Sequence, residues 1–394
     1  MVQKSSVTNA LKKNTMLIAL FAVMIMFQIM ITASGRGSLF APANISNLIS
    51  QNSYVVILAT GMLLCILTGG NIDLSVGSIV AVVGAIAGTL IVNMHMNIYL
   101  AILFCLLAGI AIGAWQGFWI AYIRIPPFIV TLAGMLLWRG VALLILNGLT
   151  ISPFPSNYLK YFTSFLPGGN ADSSTVFTVT MLVGVLASGI FVLLRIIDRR
   201  KKKAKHYEVE SFALMISKSL AISVVILILF FLLGEHKGIP VVLILASVIV
   251  FVYSFYTSRT VPGRHLYAFG GNEKAAKLSG IDTNRVLFSV YLNMGFLSAI
   301  AALVCVARFN SAAPTAGQNY ELDAIGSCFI GGASAYGGIG TVGGAVVGAI
   351  FMGVLNNGMS ILGIDSNWQK AVKGLVLLAA VVFDVLSKKR VKNN

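Results

Sequence analysis

The segment AFGGNEKAAKLSGIDTNR, residues 268–285, is small, polar and charged, and it stands between two long apolar runs near 239–257 and 286–308. If those runs cross a membrane, the segment is an extramembrane connector, and the fold follows from that. The rest of the chain supports this reading. Of 394 residues 58% are hydrophobic and only 10% charged, and the mean hydropathy is +0.91. Such a composition excludes an ordinary soluble domain. A spanning helix needs about 20 mostly apolar residues. Runs of that kind are expected near 16–33, 48–68, 74–94, 98–122, 127–147, 176–197, 212–234, 239–257, 286–308, 322–336, 339–362 and 368–387. The fold class expected is an all-α polytopic membrane protein of about twelve transmembrane or half-spanning helices, some broken by glycine.

A formal net charge of +16 would point to nucleic acid in a soluble protein. Here the placement of the charge gives another meaning. Basic residues gather at Lys4, Lys12 and Lys13, at Arg124, along RIIDRRKKKAK (195–205), across Arg259 to Arg285, and in KKRVK near the end. The twelve spans put every cluster on one side, which the positive-inside rule makes the cytoplasm. No nucleic acid is needed. Both termini and the 268–285 segment are therefore expected inside, with Lys13, Lys203, Lys277 and Lys389, while Arg36, Lys160, Lys237 and Arg308 fall outside. Basic residues before the first apolar run mimic a signal peptide, but the length of that run and the spans that follow favour an uncleaved first helix. The four cysteines, Cys65, Cys105, Cys305 and Cys328, lie singly inside apolar runs and read as buried small hydrophobes. They show neither disulfide nor metal-ligand spacing.

The longest outer segment, 147–174, is rich in Pro, Gly, Ser and aromatics, which suits an ordered surface loop at the membrane interface. The charge run at 198–211 reads as an orientation signal in contact with anionic lipid. Two glycine-rich stretches, TGGNIDLSVGS (68–78) and IGGASAYGGIGTVGGAVVGAI (330–350), each place paired glycines between apolar runs. That pattern produces interrupted helices along a membrane path, and its recurrence hints at an internal repeat. Glycines spaced by four, at 109, 113 and 117 and again at 340, 344 and 348, line single helix faces that a neighbouring backbone can approach. Gly332 and Gly344 are expected at such close contacts, and Gly35 in an outer loop.

The usual enzymatic signatures are missing. Residues 338–343 match GxGxxG, but they open a membrane helix rather than follow a strand. No GxxxxGK[ST], HExxH or GxSxG occurs, and the four histidines are scattered. Neither catalysis nor a cofactor or metal is expected. Ionisable residues at membrane depth are costly and call for a role. Asp73 is expected to cap the helix that begins LSVGSIV, with substrate contact as the alternative. Arg139 is expected to pair with an acid on another helix, and Glu321 and Asp323 flank the second break. An ion-coupled carrier usually keeps carboxylates inside its spans. This chain has twelve acids in all, most at span ends or loops, so a subunit driven from outside itself is the better reading.

TGGNIDLSVGS, AFGGNEKAAKLSGI and GGASAYGGIGTVGGAVVGAIFMGVLNNGM together resemble the three signatures of the permease subunits of bacterial monosaccharide ABC importers, the ribose, galactose and xylose type. The resemblance covers nearly the whole chain. It implies that 258–285 is a cytoplasmic coupling loop in which Asn272, Glu273, Ala275, Ala276 and Gly280 form a short helix that docks on a separate ATPase. Ala276→Arg is expected to spare the fold and abolish docking. Translocation path or helix breaks are expected at Gly69, Gly70, Asn71, Asp73, Ser75, Gly331, Gly332, Ser334, Gly337, Gly338, Asn356 and Asn357. Two additional spans at 176–234 resemble those of the xylose and multiple-monosaccharide permeases. The implied partners are a second permease copy, a cytoplasmic ATP-binding subunit, an extracytoplasmic sugar-binding protein and membrane lipid, in a bacterial plasma membrane. An ion-coupled carrier and a permease for branched-chain amino acids are the alternatives, with a non-transport scaffold third.

Overall fold

The computed structural model describes residues 15–168, 172–207 and 209–392. Among them, ten helices are long and apolar enough to cross a membrane. These are α1 (Thr15–Ala33), α2 (Pro42–Leu67), α3 (Val76–Gly88, continued as a π-turn over Thr89–Asn93), α4 (Ile98–Ala121), α5 (Pro127–Leu146), α7 (Ser173–Ala204), α8 (Phe212–Gly234), α9 (Val241–Arg259), α12 (Thr283–Phe309) and α14 (Val342–Ile361). Between them lie the short α6 (Ser156–Thr163), α10 (Val261–Gly271) and α11 (Glu273–Leu278), and the strands β1 (Phe165–Leu166) and β2 (Ile239–Pro240). The half-length α13 (Tyr320–Ile330) and the charged-ended α15 (Ser366–Lys392) complete the chain. The protein is thus an all-α polytopic membrane protein.

Each expected run falls on one helix, with one shortened. The run at 322–336 stops as a helix at Ile330, because Gly332, Gly337 and Gly338 take positive φ values of 87°, 83° and 69°. A residue with a side chain resists that conformation, and glycine does not. The result is a half-helix followed by a turning segment, 331–341.

Burial divides the helices into a centre and a rim. α2, α3 and α12 are buried over most of their length, as are α13 and α14. On α4, α5, α7 and α8 large apolar side chains such as Leu103, Leu136, Leu186 and Ile228 point outward, as lipid-facing helices require. The centre is held by glycines. A Cβ at Gly109 would lie 2.5 Å from Ala299 Cβ, and one at Gly113 would lie 2.5 Å from the carbonyl oxygen of Tyr291. α4 and α12 therefore pack backbone on backbone, where dispersion contacts replace the missing hydrophobic drive. The four cysteines are free and buried, as expected.

Ordered loops join the ends. Tyr158 of α6 is fully buried and its hydroxyl donates to Leu303 O at 2.8 Å. β1 pairs antiparallel with β2, and Ile151 bridges Ala312. After Ala312 the chain turns back inward beside α3. A Cβ at Gly88 would meet Ala312 Cβ at 3.0 Å, whereas one at Gly77 would overlap the carbonyl of Gly317. Residues 312–317 therefore descend along α3 before α13 begins.

Contacts between loops sort them into two sides. Arg124 ion-pairs with Glu273, and Arg259 lies 3.7 Å from Asp198. At the other ends, Arg36 donates to Ile361 O at 3.2 Å and Lys237 lies 5.8 Å from the centre of the Phe165 ring. Each grouping joins loops that the sequence places at the same end of the bundle. Lys4, Lys12 and Lys13 lie outside the described residues.

Candidate functional site

α2 ends at Leu67, and the hydroxyl of Thr68 folds back to Cys65 O at 2.8 Å. Gly69 and Gly70 follow with φ of 100° and 76°, and Asn71 donates to Thr68 O at 2.7 Å. The chain then re-enters. Asp73 is fully buried and accepts from both the amide and the hydroxyl of Ser75, at 2.8 and 2.6 Å. Ser75 in turn accepts from Gln116 at 2.6 Å. Asp73 thus holds the start of LSVGSIV through its second amide, as the capping expectation has it, with the helix itself starting one residue later at Val76.

The second break is closed by its own backbone. Gly331 and Ala333 donate to Ser327 O and Cys328 O, both at 2.9 Å, and Gly337 donates to Ser334 O at 3.0 Å. Thr341 then caps α14 by accepting from Gly344 N at 3.0 Å. At Gly344 and Gly348 an added Cβ would overlap the carbonyls of Gly331 and Ser327. Gly332 is different. A Cβ there meets nothing within 4 Å, so the expected close contact is absent and only its left-handed φ demands glycine.

The two breaks meet, and the 268–285 segment joins them. Gly338 N donates to Leu67 O at 3.0 Å. A Cβ at Gly70 would overlap the carbonyl of Ala335, and one at Gly337 the amide of Gly69. From the third direction, a Cβ at Gly270 would overlap Leu67 O and lie 2.5 Å from Gly338 N, while Tyr267 donates to Gly340 O at 2.8 Å. Three motifs far apart in sequence touch main chain to main chain. Glycine is needed because no side chain fits between them.

Beyond this junction α11 is built as a discrete helix. Asn272 caps it by accepting from Ala275 N at 3.0 Å. Its end carries the Schellman pair, Gly280 N to Lys277 O at 3.0 Å and Ile281 N to Ala276 O at 3.1 Å, with Gly280 at φ 85°. Arg124 ties the helix to the core through Glu273, and also donates to Thr283 Oγ1 at 2.9 Å and to Asn284 Oδ1. Ala275 is exposed. Ala276, however, is only 4% exposed and Leu278 is 90% exposed. Ala276 packs inward, which overturns the expectation that it could take an arginine without harm to the fold. Six residues are under two turns, too short for periodicity to assign a face. Leu278, an apolar side chain wholly in solvent, was missed for the same reason.

Asn356 and Asn357 sit on the opposite half of α14. Asn357 exchanges two amide hydrogen bonds with Asn44, at 2.9 and 3.0 Å, which ties α14 to the start of α2. Asn356 is half-buried.

A second polar group lies deeper. Arg139 of α5 donates through Nη1 to the carbonyls of Pro314 and Ala316. Its partner is backbone of the descending 312–317 segment, where an acid on a helix was expected. Asp323 is buried and ion-pairs with Lys373 of α15 at 2.9 Å, and it accepts from the Tyr54 hydroxyl at 3.0 Å. Lys373 was not singled out in the sequence. Its signal was there, a lysine inside the apolar run 368–387.

A family model described as branched-chain amino acid transport system / permease component matches residues 44–381. The chain is 36% identical to the xylose transport system permease protein of Escherichia coli strain K12 over 375 residues, 95% of this chain and 92% of that one. It is 37% identical to the xylose transport system permease protein of Haemophilus influenzae over 379 residues, 95% and 96% of the two chains. Against the ribose import permease protein of Escherichia coli strain K12 it is 34% identical over 366 residues, 93% and 92%. No solved structure matches.

Proposed function

The chain belongs to the family of branched-chain amino acid transport system permease components, and on that premise we propose that it is the membrane-spanning subunit of an ATP-driven importer of a monosaccharide. The sugar comes from the xylose and ribose permeases to which it is 34–37% identical over nearly its whole length. A permease of this family works with an ATP-binding partner and a substrate-binding partner, and the chain itself makes no covalent bond. It sits in the inner membrane as a multi-pass protein, with both termini in the cytoplasm, and pairs with a second copy to enclose the path. The lipid-facing rim completes the assembly.

The observation that carries the reading is the glycine junction. α11 lies at the end of a rigid lever whose other end, Gly270, is wedged against Leu67 O and Gly338 N. A push on α11 from an ATPase below reaches the end of α2 and the segment before α14 without passing through any flexible side chain. Both broken helices then shift together, and the path turns from one side to the other. Docking falls to the outward face of α11: Leu278 as the apolar contact, Lys274 and Lys277 around it. Ala276 supports the helix from beneath.

The test is uptake of labelled xylose and ribose in vesicles that hold the permease, its ATPase and its binding protein. Sugar and binding protein should raise ATP hydrolysis, and uptake should survive an ionophore. Uptake that an ionophore abolishes and that persists without the ATPase would identify an ion-coupled carrier. Competition by leucine in place of xylose would identify a branched-chain amino acid importer.

A further inference from the structure

We propose that Arg139, Glu321, Gln318 and Asn319 form a sugar-contact site at membrane depth, on the face of the protomer that a second copy closes. The proposal rests on the importer reading and names the groups that meet the sugar inside the membrane, away from the glycine junction. Its starting point is an open pocket of about 340 Å³ lined by these four residues together with Ser78, Lys370 and the apolar Met135 and Leu136. Arg139 lies twelve residues past Pro127 and seven before Leu146, about 18 Å and 10 Å from the two ends of α5 at ~1.5 Å per residue. The cavity is therefore well inside the membrane.

Three observations give it a ligand rather than a structural role. First, its hydrogen-bonding capacity is unspent. Arg139 uses Nη1 on the carbonyls of Pro314 and Ala316, and its Nε and Nη2 have no partner among the described residues. Gln318 and Asn319 make no side-chain bonds among the described residues, and Ser78 Oγ is buried without a partner. Second, the charges are left apart. Glu321 is the acidic neighbour that Arg139 feels, yet no ion pair closes between them. The nearby Asp323, by contrast, is already paired with Lys373 at 2.9 Å. Third, lipid cannot cover the opening. Gln318 and Lys370 are exposed, and the rim beside them is apolar, with Leu136 and Trp368 turned outward. Charged and amide groups at this depth face a water-filled space or another protein.

A sugar suits that chemistry. Each hydroxyl both donates and accepts, so a ring of hydroxyls can bridge a guanidinium, a carboxylate and two amides held too far apart to satisfy one another. The rigid part of the site is α5. The other part, 318–321, lies at the junction between the descending segment and α13, whose far end leads directly into the glycine break. Motion of the break can therefore change the spacing between Glu321 and Arg139, and with it the grip on the sugar.

The experiment uses the reconstituted complex with Glu321→Gln and Gln318→Leu, two variants that leave the glycine junction and α11 untouched. ATP hydrolysis stimulated by binding protein and sugar should stay within twofold of wild type, while sugar moved per ATP falls at least tenfold. The ranking of xylose against its epimers should also change. A cysteine at 318 should react with a charged, membrane-impermeant thiol reagent, and transported sugar should slow that reaction. Unchanged transport ratio and ranking in both variants would overturn the proposal, as would a cysteine at 318 that only a lipid-soluble reagent reaches. Loss of stimulated hydrolysis along with uptake of all sugars in equal measure would also overturn it, because it assigns these residues to the fold. Failure of the importer reading is distinguishable: the wild type would then show no sugar-stimulated hydrolysis at all.

Discussion

Ala276 and Leu278 stand two residues apart on α11 and face opposite ways. Because Ala276 is buried, Ala276→Arg places an uncompensated charge beneath the helix, at a cost of roughly 3–5 kcal/mol where no partner is available. The expected outcome is a loosened α11, read as faster proteolysis at 272–282 and a lower melting temperature in detergent. Leu278→Arg changes only a solvated side chain, within about 0.5 kcal/mol for the fold. It should leave expression and melting unchanged and weaken ATPase binding, by about thirtyfold if the contact is worth about 2 kcal/mol. Pull-down of the ATPase together with thermal melting separates the two, and normal ATPase binding by Leu278→Arg would remove Leu278 from the docking face. The same care applies to glycine. Gly344→Leu should cost about 1–3 kcal/mol by forcing α13 from α14, because its Cβ would overlap the carbonyl of Gly331. Gly332→Leu meets open space and suffers only for its φ of 87°. Gly35 likewise meets open space at a φ of 67°, so uptake should be similar for Gly35→Leu and Gly332→Leu and lower for Gly344→Leu; equal uptake in all three would defeat the argument from packing.

At the scale of elements, two helix pairs use glycine in different settings. α4 and α12 are joined in the centre, where Gly113 faces the backbone of Tyr291 and Gly295. α7 and α8 form a hairpin on the rim, where a Cβ at Gly184 would lie 2.7 Å from the Cβ of Phe230. A leucine at either site separates its pair at a similar local cost of about 1–3 kcal/mol. The consequences should differ. Gly113→Leu splits the core beside the broken helices and should reduce uptake at least tenfold per molecule in the membrane. Gly184→Leu loosens a peripheral hairpin and should keep more than half of it. Uptake normalised to surface-exposed protein measures both, and a larger loss from Gly184→Leu would assign the hairpin to the moving core. The spans themselves were legible from apolar run length, and the glycine face at 109, 113 and 117 from spacing by four, since each is a local property of one helix; of the second set Gly340 falls before α14 with φ 152°, and only Gly344 and Gly348 share its face. α11 was legible as a helix through Asn272 and Gly280. Its face was not, because a helix of six residues has no period to read.

For the whole molecule, sidedness is the claim with the widest reach. Introduced cysteines at 203 and 277 should be shielded from an impermeant reagent in intact cells, and those at 160 and 237 should react. The four native cysteines are buried and should stay silent. Strong labelling at 277 from outside would reverse the orientation and detach the coupling argument from it. By itself the sequence determined the class of protein, the order of its apolar helices, which loops share an end of the bundle, and where helices break. These depend on run length, charge and glycine, which act locally and survive without knowledge of neighbours. Only the tertiary structure decided which breaks touch, that Ala276 faces inward, that Arg139 is held by the carbonyls of Pro314 and Ala316, and that Lys373 answers Asp323. Those pairings join residues up to about 270 positions apart. They arise because a polar group taken into the membrane must find whichever partner the packed helices bring within reach, and one chain read in order carries no signal of that distance.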